Sequence, residues 1–114
     1  MKPLTPRQEA LYQRVVSLYR EAGMTPPSVR MAAHFVGAPP DAVRAMLAIG
    51  IQRGEIADAG EGIYFATETL LQLAEQLRPL PAPVKVAQVR DLTGSSRRYA
   101  AAALRWLRAQ QLIE

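Results

Sequence analysis

The chain has 114 residues, 49% hydrophobic and 21% charged, which suits one ordinary folded domain or two very small ones and excludes a disordered polymer. It has no cysteine and one histidine, His34, so disulfides, thiol catalysis and cysteine zinc sites are excluded, and little remains for a histidine metal site or a Ser-His-Asp arrangement. The net charge of +4 is uneven: residues 1–78 balance, while residues 79–114 hold Lys85, Arg90, Arg97, Arg98, Arg105 and Arg108 against Asp91 and Glu114.

Thr5-Pro6-Arg7-Gln8 opens a first helix with a capping box and a proline at the first helical position. Leu11, Val15, Leu18 and Ala22 recur at helical spacing as its inner face, and Gly23 ends it. After Pro26-Pro27, Ser28 caps a short second helix with Val29, Ala32 and Val36 inward, closed by Gly37. Pro39 and Pro40 open a third helix, with Asp41 in its first turn, inner residues Val43, Met46, Leu47 and Gly50, and Gly54 at its end. Residues 55–58 and 63–66 are strand-like runs around a glycine-rich turn and predict a hairpin, whose tip explains Asp58 and Glu61. Three helices followed by a hairpin is the order of a winged helix-turn-helix, and it covers residues 1–66.

Thr67 is expected to cap a fourth helix with Leu70, Leu71, Ala74 and Leu77 inward, ended by the stiff connector Pro79-Leu80-Pro81-Ala82-Pro83. Val84, Val86 and Val89 lead into a short helix closed by Gly94. Ser95-Ser96 caps a last helix reaching about Gln110, and Leu112-Ile113 reads as the start of a strand. Residues 67–114 thus repeat the first order, without the wing. The fold class expected is mainly α with a small β-hairpin: tandem winged helix-turn-helix modules, the second lacking its wing. No apolar run approaches the roughly 20 residues that cross a bilayer, and Met1-Lys2-Pro3-Leu4 begins no secretory signal. A cytoplasmic binding module without membrane, metal or cofactor is expected, and not an enzyme.

At 100° per residue, Ala100, Ala103, Leu104 and Leu107 share one side of the last helix, while Arg97, Arg98, Arg105 and Arg108 form a stripe on the other. The last helix of a helix-turn-helix docks on nucleic acid with its N-terminal residues nearest the bases, here Ser95, Ser96, Arg97 and Arg98. Arg90 and Lys85 are placed to touch the flanking backbone. Tyr99 and Trp106 lie on a flank of the same helix; Trp106 is assigned to packing, and Tyr99 is open between packing and stacking on an unpaired base. The matching helix of the first module presents a single cation, Arg44, so residues 1–66 read as a spacer or docking module. His34 has no partner residue nearby and reads as surface or half-buried. No glycine-rich phosphate loop occurs.

The string Val86-Ala87-Gln88-Val89-Arg90-Asp91-Leu92-Thr93-Gly94-Ser95-Ser96-Arg97-Arg98-Tyr99-Ala100 resembles the last winged helix of bacterial selenocysteine-specific elongation factors, the SelB family. Gly62-Ile63-Tyr64-Phe65 and the helix from Thr67 resemble the winged helix before it. The resemblance implies binding of the hairpin in selenoprotein messenger RNA, with RNA-contacting roles for Arg90, Arg97, Arg98 and Tyr99. The chain departs from that family with arginine for lysine at 98, with Arg105 and Arg108 where the family has acids, and in lacking the basic wing that follows. Leu4-Thr5-Pro6-Arg7-Gln8 and Gly23-Met24-Thr25-Pro26-Pro27-Ser28-Val29-Arg30 resemble the DNA-binding winged helix of LexA repressors, but the third helix lacks a polar base-reading surface. Three partners therefore stand open: an RNA hairpin, double-stranded DNA, or an acidic protein. The nucleic-acid-binding candidates are Lys85, Arg90, Arg97, Arg98, Tyr99, Arg105 and Arg108.

Overall fold

The computed structural model describes residues 3–114. Helix α1 (Pro6–Ala22) starts where Thr5 accepts from the Gln8 N–H while the Gln8 side chain accepts from the Thr5 N–H, so two end donors are satisfied reciprocally. Its buried residues are Tyr12, Val15, Val16 and Tyr19. The expected stripe of Leu11, Leu18 and Ala22 is only half-buried, because the two tyrosines turn the helix toward themselves. Both rings can be fully enclosed because each hydroxyl has an acceptor: Tyr12 donates to Glu55 at 2.6 Å and Tyr19 to the Pro27 carbonyl at 3.2 Å.

Ser28 caps α2 (Val29–Val36), which buries Ala32, Ala33 and Val36. Helix α3 (Pro40–Arg53) buries Val43, Met46, Leu47 and Gly50, as its sequence spacing predicts. Gly54 then takes the left-handed conformation, φ 78°, that a side chain resists, and turns the chain into the hairpin.

Strands β1 (Ile56–Asp58) and β2 (Tyr64–Ala66) pair antiparallel, with Ile56 opposite Ala66, Ala57 opposite Phe65 and Asp58 opposite Tyr64. The tip is a turn in which Asp58 accepts from the Gly60 N–H at 2.9 Å. Strand side chains alternate between faces, and here each face has its own core. Ile56 and Tyr64 pack into the first core with α1, α2 and α3. Ala57 and Phe65, with Ala59 and Ile63, belong to the second core.

That second core is completed by α4 (Thr67–Leu77), α5 (Val86–Thr93) and α6 (Arg97–Ala109). In α4 the inner residues are Leu70, Leu73, Ala74 and Leu77; Leu71, expected inward, is 45% exposed. Leu71 and Leu73 both fit a helical period with Leu70 and Leu77, and packing decides between them. Thr67 is the first helical residue rather than the cap, and its N–H donates to the Glu55 carbonyl at 3.0 Å. In α6 Ala100, Ala102, Ala103, Leu104 and Leu107 are buried. The expected strand at Leu112-Ile113 does not form. Gln111 adopts φ 59° and reverses the chain, and Ile113 packs against the second core. Among the described residues no helix is long and apolar enough to cross a membrane. The molecule extends 46 × 27 × 20 Å, with the hairpin as the wall between its two cores.

Candidate nucleic-acid interface

Ser96 begins α6 by accepting from the Tyr99 N–H at 3.2 Å. Its neighbour Ser95, expected at the exposed helix start, is instead buried and donates to the Met24 carbonyl at 2.8 Å. A 71-residue separation hides that bond from any local pattern. It pins the last helix-turn-helix to the loop after α1. The exposed start of α6 therefore consists of Ser96, Arg97 and Arg98.

The four arginines of α6 are all exposed, as the helical period requires. Three of them are nevertheless held. Arg98 donates to the Glu61 carbonyl at 3.1 Å and Arg105 to the Ala59 carbonyl at 2.8 Å, both on the hairpin tip. Arg108 donates to the Val84 carbonyl at 2.5 Å and to the Glu114 carbonyl at 3.3 Å. The stripe is thus no free face; the wing of the first module runs along it. The bonds of Arg98 and Arg105 each use one of five guanidinium donors on a peptide carbonyl and neutralise no charge, so these two groups keep donors and their full positive charge for an anion.

Arg90 is exposed in the last turn of α5, and Lys85 is exposed just before its start, its backbone N–H donating to Gln88 at 2.8 Å. Tyr99 is half-buried against the second core, with the Arg98 guanidinium 5.9 Å from its ring centre; Trp106 is half-buried against the same core. His34 is exposed, edge-on to Phe35.

The carboxylates divide the cations into two groups. Arg20 pairs with Glu55 and Glu68, Arg44 with Asp41, Arg53 with Glu9, and Arg78 with Glu75. Glu9 is held below the usual carboxylate range by its hydrogen bond from Arg53. Among the described residues, Arg7, Arg14 and Arg30 of the first module, and all six cations of residues 79–114 (Lys85, Arg90, Arg97, Arg98, Arg105 and Arg108), pair with no side-chain carboxylate. Residues 79–114 therefore carry an excess of exposed positive charge, six cations against Asp91 and Glu114. No group of three or more His, Asp or Glu among the described residues is placed to hold a metal.

No family model and no curated protein matches this chain. Among solved structures it is similar to the mRNA-binding domain of elongation factor SelB from E. coli, solved in complex with SECIS RNA. The match has a TM-score of 0.78 and 24% identity, and covers 94% of this chain and 88% of that one. The fold is that of the SelB mRNA-binding domain. At this identity the likeness shows the fold, a mainly α winged-helix architecture, over 94% of the chain.

Proposed function

We propose that the chain is an RNA-binding module that recognises a messenger-RNA hairpin through α5 and α6, in the manner of the SelB tail that serves selenocysteine incorporation. Residues 67–114 provide the contact surface with Lys85, Arg90, Arg97, Arg98, Tyr99, Arg105 and Arg108, and residues 1–66 position it. The observation that carries this reading is the set of cations on α5 and α6 left without a carboxylate, on the helix-turn-helix that such folds use for docking. The similar solved domain is itself bound to a SECIS RNA, which favours RNA over an acidic protein.

Phosphate attraction alone does not separate RNA from DNA, so preference must come from the start of α6, where Arg97 and Arg98 reach loop bases. The test compares an RNA hairpin carrying unpaired loop bases with a fully paired DNA duplex at equal salt, by fluorescence anisotropy. The hairpin is expected to bind distinctly better. Arg97→Ala combined with Arg98→Ala should erase the preference, whereas Lys85→Ala should lower both affinities and leave their ratio nearly unchanged. Equal titration of hairpin and duplex would reduce the surface to a sequence-blind basic face and sink the RNA reading.

A further inference from the structure

A cleft of about 340 Å³ opens where the two modules meet, between the start of α2, the outer side of α3, the hairpin tip and the start of α6. Arg30, Arg44 and Arg98 line it from three different helices, beside the half-buried rings of Tyr64 and Tyr99. Glu61 is the carboxylate that shares the lining. Arg30 has no ion-pair partner among the described residues. The Arg44–Asp41 pair, at 2.9 Å, is an exposed contact one helical turn apart that water and salt largely screen. Positive charge therefore exceeds negative in a recess lined by two tyrosines.

We propose that this cleft is a subsite for one unpaired nucleotide of a bound RNA strand. Its phosphate lies among the guanidiniums of Arg30, Arg44 and Arg98, and its base rests against Tyr64 or Tyr99. Guanidinium forks match phosphate oxygens, and every base offers a face to an aromatic ring. The recess falls in the size range of small-ligand pockets, about 300–1,000 Å³. A paired, stacked base cannot offer its face there, so the subsite selects unpaired nucleotides. It extends the contact surface to α2 and α3, whose lone outward Arg44 made residues 1–66 read as a spacer. The inference rests on the RNA reading only for the source of the strand.

The probe is a 5′-phosphorylated uridine trinucleotide, titrated against the full chain and followed by heteronuclear NMR. Resonances of Tyr64, Tyr99 and the three arginines are expected to shift together, and removal of the 5′-phosphate should weaken binding. Arg30→Ala with Arg44→Ala should raise the Kd about fivefold or more while the spectrum stays dispersed, since both side chains are exposed. Glu61→Gln, which keeps the backbone acceptor and removes the carboxylate, should tighten binding about twofold. Unchanged affinity in the double variant, shifts confined to the outer face of α6, or no binding at millimolar trinucleotide would each overturn the subsite. The RNA reading has its own failure, equal binding of hairpin and duplex, so the two are told apart.

Discussion

Two residues show how closely the first core is fitted. Gly50 faces the start of β1, where an added Cβ would lie 2.5 Å from Cγ1 and 3.0 Å from Cβ of Ile56. These atoms sit at the base of a β-branched side chain and cannot swing away. Gly50→Ala would gain about 1 kcal/mol of helix propensity, but overpacking costs about 1–3 kcal/mol. The net expectation is a destabilised protein with a lower urea midpoint; a rise in midpoint would contradict the packing described. Tyr12 and Tyr19 give a second residue-scale prediction. Burial pushes both phenols up to about 12, and in Tyr12 the neighbouring Glu55 adds to the effect. The folded state therefore keeps protons that the unfolded chain releases near pH 10. Their contribution is complete below pH 10 and is lost as pH climbs toward 12. The melting temperature should fall steeply across that window, and Tyr12→Phe with Tyr19→Phe should flatten this part of the profile.

At the scale of elements, the side-chain-capped starts of α1, α2 and α6 were the most legible feature of the sequence, whereas α4 begins at Thr67 without that cap. Thr5 with Gln8, Ser28 and Ser96 each form the cap their side chains allow, because a cap is settled within four residues. The inner face of α3 was legible for the same local reason. Faces shared with distant elements were less so: α1 rotates toward Tyr12 and Tyr19, α4 buries Leu73 in place of Leu71, and Leu112-Ile113 forms no strand. The composition of the basic surface was readable from spacing, but the bonds from Arg98 and Arg105 to the hairpin span 37 and 46 residues and leave no periodic trace. The salt dependence of binding belongs to this scale, since it counts the cations that α5 and α6 bring to phosphates. If about four phosphates are neutralised, log K should fall against log[salt] with a slope between about −3 and −4. Lys85→Ala, which removes the proposed phosphate contact, should reduce the slope by about one unit. A slope near zero would mean that these cations meet no phosphate.

Across the whole molecule the hairpin decides what can fold alone. The second core takes Ala57, Ala59, Ile63 and Phe65 from residues that precede α4, and all four are at most 5% exposed. A fragment of residues 67–114 loses that wall, and circular dichroism should detect no cooperative melting. A fragment of residues 55–114 restores it and should melt with a transition. Cooperative unfolding of the shorter fragment would show that the second core stands without the hairpin. In the full chain, Phe65→Ala should cost about 3–5 kcal/mol.

The carbonyls of Ala59 and Glu61 that hold Arg105 and Arg98 also bear on the entropy of association. Long side chains that are already restrained lose less rotamer freedom when an anion arrives, a saving of roughly 0.5–1.5 kcal/mol for each. On the proposed RNA-binding reading, the wing tip would tune affinity through main-chain oxygens, without meeting the ligand at those atoms. Glu61→Ala would be blind to this contribution, because it leaves the carbonyl acceptor in place. Shortening the turn would expose it.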